Sequence, residues 1–260
     1  MDLKLAGRLA LVTGGSKGIG LGIAKWLAGE GCHVGLVARH QADLDRAVES
    51  IRSVAKVDAR GFAADVGHAA DRRRVLEQCR DIDILVNSAG GIPGGDLLDV
   101  DEARWRAAWD AKVYGHINMC RDVLLGMKAR KCGTIVNIIG VGGEKLDAHY
   151  IAGATGNAAL MAFSRTLGST SLDYGVRVIG INPGPVQTER LEFLGRKRAQ
   201  DRLGDPERWR DFHKDMPLGR PASVDEIAAM AAFLCSDHCA YMSGTIVTID
   251  GGMAHRASLP

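Results

Sequence analysis

Directly after a short apolar run, Leu9 to Val12, the chain reads Thr13-Gly14-Gly15-Ser16-Lys17-Gly18-Ile19-Gly20 and then enters a helix-forming stretch, Leu21 to Glu30. A second apolar run, Val34 to Ala38, follows at the distance of a βαβ unit. A glycine-rich turn between strand and helix lets backbone N–H groups come close to a pyrophosphate, and the positive end of the helix dipole stabilises that anion. The spacing of Gly14, Gly18 and Gly20 is G-x-x-x-G-x-G rather than the G-x-G-x-x-G fingerprint. The assignment of a phosphate site therefore rests on the strand–turn–helix context, against the plainer reading of a tight turn with no ligand.

Seven apolar runs alternate with longer amphipathic stretches: Leu9 to Val12, Val34 to Ala38, Ala59 to Ala63, Ile82 to Val86, Thr134 to Ile139, Arg177 to Ile181 and Thr245 to Ile249. Continuous apolar strands separated by helices predict a parallel sheet covered on both faces with right-handed crossovers, a doubly wound Rossmann-type α/β fold. With 260 residues, 46% of them hydrophobic, the chain can bury one large core, and a single domain over 1–260 is expected. Its 33 basic residues nearly balance 31 acidic ones, so the net charge of +2 points to no nucleic-acid or membrane surface and leaves a small-molecule ligand as the expected partner. The six cysteines form no C-x-x-C pair and have no histidine at zinc-ligand spacing, so free buried thiols and no metal are expected. The first strand starts within ten positions of Met1 and no apolar run reaches spanning length, which predicts a cytoplasmic protein.

Two long helices are expected, Asp101 to Lys131 ending before Gly133, and His149 to Tyr174 ending before Gly175. The second carries Ala152, Gly153, Ala154, Gly156, Ala158 and Ala159, although each glycine costs a helix about 1 kcal/mol. Residues 188–222 form a charged segment that follows the sixth strand, the position of a lid over ligands bound at the carboxyl ends of strands. Its basic residues, among them Arg190, Arg196 and Arg208, are interleaved with acids such as Glu192, Glu207 and Asp211. Mutual pairing is expected, and no carboxylate-binding role for the arginines.

The motifs together resemble the short-chain dehydrogenase/reductase family along nearly the whole chain. They are the Thr13 to Gly20 turn, Asp65-Val66, Asn87-Ser88-Ala89-Gly90, Asn182-Pro183-Gly184 with Val186 and Thr188, and Asp250-Gly251-Gly252. The resemblance implies that Gly14, Ser16, Lys17, Gly18, Ile19 and Gly20 hold the cofactor phosphates and that Asp65 and Val66 flank the adenine. It further implies that Asn87, Ala89 and Gly90 shape the cofactor floor, with Pro183, Gly184, backbone at Val186 and the Thr188 hydroxyl on the nicotinamide side. For Asn87 and Asp250 a purely structural turn role competes. Ser88 stands where the family usually has a second asparagine.

An acidic side chain at the end of the second strand would accept hydrogen bonds from an NAD ribose and repel a 2′-phosphate. Here that position is Ala38, and Arg39 follows with a donor fork suited to phosphate, Lys17 adding positive charge nearby. NADP(H) is therefore expected over NAD(H). Where the family places serine, tyrosine and lysine, an ungapped register on Gly133 to Ile138 and Ala158 to Arg165 gives Gly140, Gly153 and Asn157. The family's asparagine on the preceding long helix becomes Lys112, as if lysine and asparagine had exchanged helices. Two glycines leave space for water, ligand or a relocated side chain. Asn157 can still bond ribose hydroxyls without charge.

Tyr150, one helical turn before Gly153 and about 4.5 Å along an ideal axis, is the candidate replacement acid. It needs a cation such as Lys112 or Lys145 to act near neutrality; His149 would need no such help. Lys112, Tyr150 and Asn157 are thus the catalytic candidates, each with a bland alternative as a helix-surface or helix-start residue. The expected function is an NADP(H)-dependent oxidoreductase acting on a carbonyl or alcohol, or alternatively a catalytically impaired NADP(H)-binding protein or non-catalytic subunit. A homo-oligomer, dimer or tetramer, is implied by the resemblance, through packing of the two long helices across a two-fold axis.

Overall fold

Seven strands, β1 (Leu9–Thr13), β2 (His33–Ala38), β3 (Ala59–Ala63), β4 (Ile84–Asn87), β5 (Gly133–Ile138), β6 (Val176–Pro183) and β7 (Thr245–Ile249), form one sheet in the order β3-β2-β1-β4-β5-β6-β7, every pair parallel. The computed structural model describes residues 1–256; residues 257–260 lie outside the described set. The strand order reverses between β1 and β4, and the crevice at that switch point, outside the carboxyl ends of the strands, is where ligands bind in open sheets of this type.

The apolar runs are continuous because both faces of the sheet are covered. Successive side chains point to opposite faces, so Leu11 packs with Leu85, Ile135 and Val178 on one side while Val12 packs with Val86, Val136 and Ile179 on the other. The helices α1 (Gly18–Gly29), α2 (Gln41–Arg52) and, last in the chain, Val224–Cys235 cover the second face through Ile23, Leu27, Leu44, Ile51, Ile227 and Ala231. On the first face lie α3 (Ala69–Gln78) and, beyond a short helix α4 (Glu102–Trp109), α5 (Gly115–Arg130), which contributes Met119, Val123 and Met127. The long helix α6 (Ile151–Ser171) adds Leu160 and Met161 to a smaller cluster with Val113 and Ile139.

Two expected helices differ in ways that matter for the site. The Asp101–Lys131 helix is broken into α4 and α5 by a single π turn, Asp110–Tyr114, whose extra residue turns Lys112 and Val113 into the interior. The other begins at Ile151 rather than His149, because the Asp147 carboxylate accepts the His149 N–H and Tyr150 sits outside helical geometry at φ −137°.

After β6 the backbone makes an excursion with a closed base: Ala222 donates to Pro185 O and accepts from the Gln187 N–H. Between these anchors lie α7 (Glu189–Leu203), N-capped by Thr188, and a 3₁₀ stretch, Pro206–Asp215. The chain then enters α8 (Val224–Cys235), started by a Ser223/Glu226 capping box. The C-terminus of α8 is closed by Arg177 of β6, a buried guanidinium that donates to the carbonyls of Leu234, Cys235, Ser236 and Cys239 and to the Thr134 hydroxyl. Five of the six cysteines are buried and all six are free. Among the described residues no helix is long and apolar enough to cross a membrane.

Candidate active site

The tip of β1 is crowded enough to dictate glycine. Gly14 has φ +66°, and a Cβ there would lie 2.8 Å from the Ser88 backbone of the neighbouring strand tip; a Cβ on Gly20 would collide with the Gly14 carbonyl. The turn closes tightly on α1, whose N-cap residue Lys17 supplies no side-chain cap and whose first turn holds no acid. The N–H groups at that end have no side-chain acceptor, the arrangement that binds anions at helix N-termini. Ser16, Gly18 and Ile19 lie on the half-buried rim of this turn, and the Thr188 methyl group faces Gly18 from across the crevice. Arg39 is exposed just past β2. Lys17 is exposed too, but its ammonium lies 3.6 Å from Glu189 of α7, so its charge is partly matched by the lid rather than standing free beside Arg39.

Several expected cofactor residues also carry local structure. Asp65 accepts the Gly67 N–H, and Val66 is buried against Gly115. Asn87 donates to Asn137, which donates to Ser164 of α6, a buried polar chain tying β4, β5 and α6 together beneath the crevice. The Ser88 and Ala89 N–H groups are held by the Thr13 hydroxyl. Pro183 ends β6, Gly184 packs on Asp250, and Val186 pairs with Ala222 at the base of the lid. The Thr188 hydroxyl caps α7 through the Leu191 N–H and donates to Val186 O.

At the positions of the expected serine, tyrosine and lysine the backbone has adapted to its own residues. Gly140 has φ +131°, a conformation that L side chains rarely adopt, and a Cβ there would face the Asn157 amide nitrogen at 3.1 Å. Gly153 lies directly under the Tyr150 ring, which fills the volume where any side chain at 153 would start. The same ring faces Gly142 at 3.3 Å, with the Asn157 amide beside it at 3.4 Å, both measured to a Cβ placed on that glycine. Asn157 is 2% exposed and its Oδ1 has no partner among the described residues. The space beside Gly153 is thus occupied by the Tyr150 ring, and the space beside Gly140 by the Asn157 amide.

Lys112 reaches the same place from the π turn. Its stem packs on Gly90, whose Cβ would come within 2.6 Å of it, and its Nζ donates to Ile139 O at 2.6 Å, next to Gly140. Burial, together with the nearby Arg190 charge, pulls the Lys112 pKa down to about 7. Burial raises the Tyr150 pKa, while Arg190 beside the phenol acts the other way. Lys112, Tyr150 and Asn157 are therefore brought together; His149 and Lys145 are exposed, His149 meeting the site only through its carbonyl, which accepts the Gly95 N–H.

Two residues at this site escaped the sequence reading. His116, one turn beyond Lys112, is fully buried with its pKa pushed down to about 3 by burial and by Lys112. The neutral ring must donate from Nε2 to Ala89 O, which leaves Nδ1 bare and unpartnered. The four-residue spacing from Lys112 was the available signal. Arg190 lies on the first turn of α7, and its guanidinium crosses the crevice to donate to Ile92 O at 2.6 Å. No periodicity marks it among the other arginines of the lid.

The family model described as Enoyl-(Acyl carrier protein) reductase matches residues 14–254. Oxidoreductase UcpA of Salmonella typhimurium is 35% identical over 96% of this chain and 95% of its own length. The 3-oxoacyl-acyl-carrier-protein reductase FabG of Chlamydia muridarum is 30% identical over 98% of this chain and all of its own. Among solved structures, L-sorbose reductase from Gluconobacter frateurii, complexed with NADPH and L-sorbose, superposes with a TM-score of 0.91 at 31% identity, over 99% of this chain and 100% of that one. The NAD+-bound xylitol dehydrogenase superposes with a TM-score of 0.89 at 27% identity, over 96% of this chain and 100% of that one. With the sheet order, the glycine turn and these matches in agreement, the chain belongs to the short-chain dehydrogenase/reductase family of oxidoreductases.

Proposed function

We propose that this protein is an NADP(H)-dependent oxidoreductase that interconverts a carbonyl and an alcohol, with Tyr150 in place of the absent catalytic tyrosine. The observation that carries the reading is the Tyr150 ring seated over Gly153, with Asn157 and the Lys112 ammonium converging on the same Gly140–Gly142 loop. A dinucleotide fits the residues present. The Gly14–Gly20 cradle is one that Cβ atoms would fill, and the buried, unpartnered Asn157 Oδ1 is an acceptor in want of a donor such as a ribose hydroxyl.

In this reading Gly14, Ser16, Lys17, Gly18, Ile19 and Gly20 hold the pyrophosphate, and Arg39 the 2′-phosphate. Asp65 and Val66 flank the adenine, Asn87, Ala89 and Gly90 form the floor, and Pro183, Gly184, Val186 and Thr188 border the nicotinamide. The bound nicotinamide supplies or accepts the hydride. Tyr150 gives a proton to the substrate oxygen during reduction and takes it back in the reverse direction. Lys112, poised near neutrality and held on Ile139 O, offers its charge to the developing oxyanion. Residues 188–222 close over the substrate as a lid hinged at Ala222, and the protein works as a homo-oligomer.

Following NADPH oxidation with a panel of ketones and aldehydes, and NADP+ reduction with the matching alcohols, tests the reading. Turnover that falls about 10²-fold or more in Tyr150→Phe, with NADPH affinity unchanged, supports it. The raised phenol pKa gives a second reading its one specific observation: a nucleotide-binding, non-catalytic subunit, which would bind NADPH tightly and turn over none of the panel.

A further inference from the structure

Some lid arginines pair with carboxylates and others do not, Arg198 and Arg210 lying over the Phe212 and Trp209 rings instead. Arg196 is paired with Glu192 and Glu207, Arg208 with Asp211, and Arg220 with Glu226. Arg190, like Arg198, Arg202 and Arg210, has no carboxylate within ion-pair distance among the described residues, and it differs from them in where its guanidinium goes. Its guanidinium turns instead into the crevice, over Gly91 and beside Tyr150, and spends one of its five N–H donors on Ile92 O.

Lys112, buried with a backbone carbonyl as its hydrogen-bond partner, feels the Arg190 charge, and among the described residues no acid is near enough to influence it. With its pKa at about 7, Lys112 is only partly protonated at neutral pH, so the Arg190 guanidinium is the standing charge of this crevice. A guanidinium turned into the crevice with no carboxylate of its own can take a carboxylate through the donors not engaged by Ile92 O and Tyr150. Gly91 lets the guanidinium lie against the backbone, where a Cβ would collide with it.

We propose that Arg190, backed by Lys112, is a carboxylate-recognition site, and that the substrate is an oxo acid reduced to the corresponding hydroxy acid rather than a neutral ketone or aldehyde. The proposal rests on the redox reading above. Hydride from NADPH adds to the carbonyl carbon, the C=O π electrons move to oxygen, and Tyr150 protonates that oxygen; the carboxylate on Arg190 is unchanged. Arg190 is thus a specificity-determining residue, and it selects for charge.

The experiment compares 2-oxo and 3-oxo acids of two to six carbons with their methyl esters, NADPH as reductant, in the wild type, Arg190→Gln and Arg190→Lys. The expected result is a kcat/KM at least tenfold higher for the acid than for its ester in the wild type. In Arg190→Gln both substrates slow because the phenol loses the cation beside it, but kcat/KM falls at least tenfold further for the acid than for the ester, through KM, and Arg190→Lys recovers part of that difference. Esters equal to or better than acids in the wild type, or acid and ester falling by the same factor in Arg190→Gln, would overturn it. A tenfold or greater loss of NADPH affinity in Arg190→Gln would also overturn it, by assigning the guanidinium to the phosphates of the cofactor. Calorimetric titration of the same acids and esters into NADP+-loaded protein keeps this separate from the redox reading. If nothing turns over, Arg190-dependent binding of acids alone still supports the site, and no binding of any acid removes it.

Discussion

At the scale of single residues, the proposed site moves the phenol and the lysine to other positions and leaves the serine position, Gly140, without a replacement. A phenol stands one turn earlier on the chain, a lysine comes from a neighbouring helix, and an asparagine takes the place of a lysine. Because the Tyr150 hydroxyl is the only atom removed by Tyr150→Phe, the ring still fills the volume over Gly153. Stability should then change by less than about 1 kcal/mol while reduction slows about 10²-fold, a separation that urea unfolding and steady-state kinetics together measure. Lys112 gives a pH signature. Its folded pKa of about 7 lies below the 10.5 of an unburied lysine, so between those values the unfolded chain binds more protons and stability rises with pH. The full cost of burying the charge is borne below that window. Relative to Lys112→Met, which cannot titrate, the wild type should gain up to about 1.4 kcal/mol per pH unit between pH 7.5 and 9.5 in urea unfolding; a constant difference would contradict the assignment. The identities of Gly140, Gly153, Asn157 and Lys112 followed from register alone. Arg190 was hidden because pairing within a charged segment depends on which side chain faces the crevice, and spacing does not encode that.

At the scale of elements, backbone geometry decides what the site can accept. Gly140 at φ +131° means that Gly140→Ser would not simply reinstate a serine: the strained conformation should cost about 1–3 kcal/mol, read as a lower urea midpoint with no gain in turnover. The π turn at Asp110–Tyr114 was not legible in the sequence, since the helical apolar pattern continues through it; only the packing of Lys112 on Gly90 and of Val113 on Gly156 explains the extra residue. The His149 helix start failed for a local reason, the Asp147 carboxylate claiming the His149 N–H. Strand positions were read well because a parallel sheet buried on both faces leaves continuous apolar runs. Arg177 is the exception within β6, a buried cation that closes the C-terminus of α8. Arg177→Met would leave several buried carbonyls without donors, and a loss of about 2–4 kcal/mol is expected in urea unfolding.

At the scale of the whole molecule, the sheet order sets the switch point between β1 and β4, and the elements that converge there come from five separate parts of the chain. The glycine turn, the β4 and β5 tips, the start of α6 and the lid anchored at Ala222 are brought together by topology, so a dinucleotide spanning them would couple them all. The direct test is calorimetric titration of NADPH and of NADH into the wild-type protein and Arg39→Ala. The account predicts one site per chain, NADPH binding about tenfold or more tighter than NADH, and loss of that preference in Arg39→Ala. Absence of binding by either dinucleotide would contradict it and reduce the Thr13–Gly20 segment to a structural turn.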